Sequence, residues 1–290
     1  MGRSRWIGAA IVVAMLAMSG CAPERSASAP SPSSSADDAI AEFCRGPAVA
    51  ECERGDAFVV VTVANSADEQ QTIQLARQLR VLAEAEELGN GASLRRESAD
   101  AAAIDPDVTT PPAWEFSVYP GDAGEIEGSV SGLLAVEQVA GTLGAGVSGG
   151  WPHVTVASID DFAAVFDAVA ATPLFRDGGT YTLWSVDEQL RIVHTPKWFS
   201  GAGIAEVIDL ASAYPAAEVL LEAPEGGSQP PVLYVSRLTP DEVAAIDARL
   251  SQPALARASV EGGAIEYVLG TTGSDGATYT GGTFGGTAVE

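Results

Sequence analysis

Apolar and polar positions along this chain switch period repeatedly, and the switches predict strands and helices in turn. Residues 58–63, Phe-Val-Val-Val-Thr-Val, are mostly apolar and β-branched, the pattern of a strand buried on both faces. At Ser66, with Glu69 as its capping-box partner, the spacing turns helical. It runs through Ile73, Leu75, Leu79 and Leu82 and stops at Gly89. Residues 94–97 read as a short edge strand, 99–113 as a polar, proline-bearing link, and 114–118 as the next strand. Residues 126–143 are predicted helical on Val130, Leu133, Leu134 and Val136, with the glycines of 144–150 as the stop.

A strand at 153–156 then leads to Ser158, which caps a helix carrying Phe162, Val165, Phe166 and Val169 in one stripe. A hairpin follows, 181–186 and 190–194 about a turn at Asp187-Glu188. Next come a helix at 203–214 and strands at 219–222 and 232–236. Thr239-Pro240-Asp241-Glu242 is the best-formed helix start in the chain: an N-cap, a proline in the first turn and a glutamate at the capping-box position. Gly262-Gly263 precedes a last strand at 265–269, and 271–290, rich in glycine and threonine, reads as a loose tail.

Two stretches are alike. From Val154 and again from Leu233 the chain reads strand, cap, Ala-Ala-bearing helix, proline, arginine, Gly-Gly, strand. Alignment takes one gap in the helix and two more residues before the Gly-Gly, and it suggests an internal repeat. Successive βαβ-like units joined by hairpins predict an α+β fold of tandem ferredoxin-like βαββαβ units, with helices on one face of antiparallel sheets. A single α/β sheet is the alternative. The hairpin at Asp187-Glu188 favours the first, because antiparallel neighbours need no crossover. The expected division is 40–150 for a first α+β unit, 151–270 for a second containing the repeat, and 271–290 for the tail.

The N-terminus carries an address. Arg3 and Arg5 precede an apolar run over 7–18, too short to span a bilayer comfortably and suited to a signal segment. Met18-Ser19-Gly20-Cys21 follows and resembles the lipobox of bacterial lipoproteins, with Met18 where leucine is usual. That resemblance covers residues 1–21. It implies cleavage of 1–20, lipidation of Cys21 and a place on the outer side of the cell membrane. Residues 21–39, rich in serine, proline and alanine, fit a tether between lipid and body.

Two cysteines then remain. Outside the cytoplasm Cys44 and Cys52, close in sequence, read as a disulfide; no nearby histidine or further cysteine completes a metal site. Asp and Glu number 39 against 15 Lys and Arg, a net charge of −24, and loss of Arg3 and Arg5 deepens it by two. Such a chain repels nucleic acid, whose binding rests on phosphate neutralisation. The charge serves solubility, and it also suits a cationic partner or another envelope protein.

Candidate chemistry is sparse. Gly144, Gly146 and Gly149 fit GxGxxG, and Gly146 to Gly150 around Ser148 fit GxSxG. Both motifs need a strand before and a helix after, and here the predicted order is reversed. His153 and His194 each fall in a predicted strand at unrelated points. Asp160-Asp161 and Asp241-Glu242 sit at helix starts, where they complement the dipole. The densest cluster is His194, Lys197 (the one lysine) and Trp198, at a strand-to-helix junction; it is the candidate ligand site, an aromatic-plus-cation set for a sugar ring or an anion. No catalytic residue, metal or cofactor is expected. The chain reads as a membrane-anchored binding or interaction module of the cell envelope, with an envelope hydrolase and a structural spacer as alternatives.

Overall fold

The computed structural model describes residues 36–55, 58–85, 91–98, 111–119, 125–177, 179–196, 200–223, 230–258, 265–273 and 276–286. The signal segment, Cys21 and the tether as far as residue 35 lie outside them. In chain order the elements are α1 (Ala36–Phe43), β1 (Val49–Arg54), β2 (Val59–Val63), α2 (Glu69–Ala85), β3 (Ala92–Arg96), β4 (Trp114–Val118) and α3 (Ile126–Glu137). There follow β5 (Thr142–Ser148), β6 (Trp151–Val156), α4 (Ile159–Ala171), α5 (Pro173–Arg176), β7 (Tyr181–Ser185), β8 (Leu190–His194) and α6 (Gly201–Ala213). Then come β9 (Glu218–Ala223), β10 (Val232–Leu238), α7 (Pro240–Leu250), a 3-10 turn at Pro253–Arg257, β11 (Glu266–Gly273) and β12 (Gly276–Thr283).

Among the described residues the twelve strands make one mixed sheet, and their order in space is their order in sequence. Short turns join antiparallel neighbours such as β5–β6 and β7–β8. Helical crossovers join the parallel neighbours β2–β3, β4–β5, β6–β7, β8–β9 and β10–β11. The helices share one face: α2 packs on α3, α3 on α5, and α4 on α6. Arg249 of α7 pairs with Glu206 of α6. Successive parallel pairs point in opposite directions while the sheet grows steadily to one side. With every helix on one face, the crossovers therefore alternate in hand, although parallel crossovers are right-handed in about 98% of cases.

The order of elements matches the βαββαβ reading, and so does the placing of helices on one face. The strand order does not: each crossover lands on the adjacent strand, so one sheet runs through instead of two split ferredoxin-like sheets. Ala36–Glu290 make one compact unit, and the β5–β6 hairpin carries the sheet past residue 150 unbroken. The two similar stretches are both parallel crossovers, β6–β7 and β10–β11, and in each a proline-started turn follows the helix, at Pro173 and Pro253.

Local signals account for the helices. Ser158 Oγ accepts from the Asp161 amide, and Thr239 and Glu242 form a complete capping box. The stripe Phe162, Val165, Phe166 and Val169 is buried against the sheet; each such side chain contributes roughly 1.5–3 kcal/mol. The start of α2 differs from expectation. The reciprocal bonds run between Asp68 and Gln71, at 2.8 and 3.0 Å, so Ser66 and Glu69 are not the capping pair. Cys44 and Cys52 are joined by a disulfide with Cα atoms 5.7 Å apart, which ties the end of α1 to the edge strand β1.

Other differences lie in glycine-rich sequence. The predicted helix over 126–143 ends at Glu137, and Thr142–Ser148 is a strand. Residues 271–290 contain the end of β11 and all of β12 rather than a loose tail. Ala92–Arg96 is interior, between β2 and β4, rather than an edge. In each case a neighbouring strand supplies hydrogen bonds that local propensity does not reveal.

Candidate functional site

Alternation along the strands assigns every strand side chain to the helix-packed face or to the opposite face, helix-free among the described residues. The register lines up Glu115, Gly146, His153, Thr182, Val193 and Glu222 in one row of the helix-free face, from β4 to β9. A cleft of about 560 Å³ opens along this row, with Trp151, Trp184, Arg191 and Ser148 also in its wall.

Glycine shapes the cleft. A Cβ at residue 146 would stand 2.4 Å from His153 Nε2, so only a residue without a side chain leaves room for the imidazole. The ring then stacks on Trp184, with centroids 5.4 Å apart and planes 20° apart. Burial holds the His153 imidazole below its ordinary pKa; a contact with the Trp151 backbone and the charge of Glu115 act the other way. The stacked pair is therefore uncharged at neutral pH. Trp151 Nε1 donates to Thr182 Oγ1 at 2.9 Å, which fixes the indole while 43% of the residue stays exposed. Arg191 faces Trp184 across β7–β8 and has no ion-pair partner among the described residues. It also borders a second depression, with Glu188 and Glu218.

The predicted cluster at His194, Lys197 and Trp198 fares differently. Lys197 and Trp198 lie outside the described residues. His194 lies on the helix-packed face, 5% exposed, with Phe166 and Tyr181 ring centroids 5.4 and 5.3 Å away. Burial pushes its imidazole down to about 4, and Nδ1 has no hydrogen-bond partner. His194 is therefore a core residue with no opening toward the cleft. One residue of alternation separates the two outcomes: Leu190, Ile192 and His194 face the helices, while exposed Arg191 and buried Val193 lie on the opposite face. His153 carried a readable signal, the alternation Trp151-x-His153-x-Thr155 opposite a glycine, but only the register makes it informative.

Ser148 lines the cleft at the end of β5, and its Oγ lies 3.5 Å from the Tyr119 hydroxyl. After it Gly149 and Gly150, both at positive φ, turn the chain into β6. GxSxG and GxGxxG thus lie on a strand and its hairpin, and neither opens a helix at a phosphate or a nucleophile. Among the described residues no group of three or more His, Cys, Asp or Glu is placed to hold a metal ion, and no helix is long and apolar enough to cross a membrane. Comparison with protein-family models, curated proteins and solved structures finds no match to this chain.

Proposed function

We propose that the chain is a binding module of the cell envelope, held to the outer side of the cell membrane by lipid on Cys21, with the helix-free face turned to its ligand or partner. The carrying observation is the cleft of Trp151, His153 and Trp184, whose rings stand on the sheet face that no helix of the described residues covers. Large exposed apolar patches on a folded domain mark binding surfaces. The lipobox-like Met18-Ser19-Gly20-Cys21 and the tether after it support the address. An acidic net charge of −24 favours a neutral or cationic partner and disfavours nucleic acid.

The test uses lipidated protein as bait in detergent-solubilised envelopes of the native host. Trp151→Ala and Trp184→Ala should each lose what the parent captures, and Cys21→Ala should move the protein out of the membrane fraction. Capture unchanged by both tryptophan substitutions would remove the cleft from the function.

A second reading, an envelope hydrolase, rests on one observation: Ser148 and His153 line the same cleft. Against it stands the partner of the serine, which is Tyr119 rather than His153. Activated serines need a base within hydrogen-bond reach. Labelling of Ser148 by a fluorophosphonate probe, lost in His153→Ala, would support hydrolysis.

A further inference from the structure

We propose that the whole helix-free face, beyond the cleft, is a track for a linear, uncharged polysaccharide laid across the strands. The proposal rests on the binding-module reading and names the ligand class of that face. Six large hydrophobic side chains are exposed among the described residues. Val81 is on α2; the other five, Phe58, Tyr119, Trp151, Tyr234 and Tyr279, are all aromatic. Alternation and register put all five on the helix-free face. Random surface exposure would scatter them over helices as well.

In sheet order they fall on or beside alternate strands, with one interval between β6 and β10 that holds no exposed aromatic of this set. Phe58 immediately precedes β2, Tyr119 immediately follows β4, and Trp151, Tyr234 and Tyr279 stand on β6, β10 and β12, with Trp184 and Arg191 of β7 and β8 filling the interval. Every second strand of a sheet recurs at about 10 Å. An extended β-linked glycan turns the same ring face to one side once per disaccharide, a repeat comparable to that strand interval, so an oblique line places the rings one disaccharide or somewhat more apart. The line is oblique. It begins at one end of the strands with Phe58 and Tyr119, passes Trp151 and Trp184, and leaves toward the other end at Tyr279.

Glycines make room for three of the rings. Tyr119, His153 and Tyr279 each stand opposite a glycine, and a Cβ at Gly91, Gly146 or Gly270 would meet their ring atoms at 2.9, 2.4 and 3.3 Å. The face of an aromatic ring suits the C–H side of a pyranose, and the hydroxyls of Ser117, Ser148 and Ser236 between the rings suit sugar hydroxyls. Net charge disfavours a polyanion.

The experiment is a tryptophan-fluorescence titration of the full lipidated chain in detergent with two probes, the β-1,4-linked hexamer of N-acetylglucosamine and cellohexaose, each beside its disaccharide. At least one hexamer should bind about tenfold more tightly than its disaccharide, because only a long chain reaches several rings. Tyr234→Ala should weaken the hexamer severalfold with the far-ultraviolet dichroism unchanged, and Tyr234→Phe should keep it. Absence of binding by both hexamers at millimolar concentration, or equal binding to parent and Tyr234→Ala, overturns the proposal. If neither glycan binds but an envelope protein is captured through Trp151, the polysaccharide reading falls and the binding module stands. If nothing is captured either, both fall.

Discussion

The imidazole of His153 lies in the space that a side chain at residue 146 would fill, with Nε2 2.4 Å from the position of a Cβ there. Gly146 and His153 are direct cross-strand partners, so neither can move without the other. Gly146→Ala should lower stability by roughly 1–3 kcal/mol, the usual cost of forcing an atom into filled space, and should shift tryptophan emission as His153 leaves Trp184. Alanine in a strand is otherwise better than glycine. In a His153→Ala background the same change should therefore be neutral or stabilising by urea unfolding. An equal cost in both backgrounds would show that the ring is not the obstacle.

His194 predicts a dependence on pH. Its folded pKa is about 4 because burial disfavours the charged form, and an unfolded histidine titrates near 6.5. Between those values the unfolded chain binds more protons, so stability is complete above about 6.5 and falls as pH drops toward 4. The contribution is roughly 3 kcal/mol across that window. His194→Gln should flatten this part of the stability curve relative to the parent, while the carboxylate titrations stay common to both. Parallel curves for the two proteins between pH 7 and 4 would refute the assignment.

The Cys44–Cys52 disulfide closes a short loop, eight residues in sequence separation, between α1 and the edge strand β1. Reduction should cost roughly 2–3 kcal/mol in the chain-entropy model. Hydrogen exchange should accelerate first in residues 36–54, since the interior strands do not depend on the bridge. Uniform acceleration across the sheet would mean that α1 and β1 are part of the cooperative core.

Caps give a local test. Thr239→Ala removes the side-chain half of a complete capping box, leaving only the residue-239 amide donating to Glu242, and should destabilise by about 1 kcal/mol. At α2 the same loss should follow Asp68→Ala, whose carboxylate accepts from the Gln71 amide, and not Ser66→Ala. Thermal unfolding of the three variants separates these outcomes.

Helix stripes and N-caps were legible in the sequence because they are short-range. The Phe162-to-Val169 face, Ser158 and the Thr239 capping box depend on residues three or four places apart. The hairpin at Asp187 was legible for the same reason: Asp187 Oδ1 accepts from Ser185 Oγ and the Gln189 amide within the turn itself. Strands β5 and β12 were not. Their sequences, Thr-Leu-Gly-Ala-Gly-Val-Ser and Gly-Ala-Thr-Tyr-Thr-Gly-Gly-Thr, are broken by glycines, which strands disfavour, and this masks even the β-prone Thr278-Tyr279-Thr280. The cleft was hidden for a related reason, since Gly146 and His153 are informative only as a pair.

By itself the sequence determined the alternation of strand and helix, the capped helix starts and the close spacing of Cys44 and Cys52, all properties of neighbouring residues. Only the tertiary structure decided that twelve strands join in sequence order in one sheet, and that its helices share a face. It also decided that His153 looks out beside Trp184 while His194 is sealed between Phe166 and Tyr181. The physical reason is that strand pairing is a contact between distant residues, and a side chain's face depends on which neighbour and which register the strand adopts.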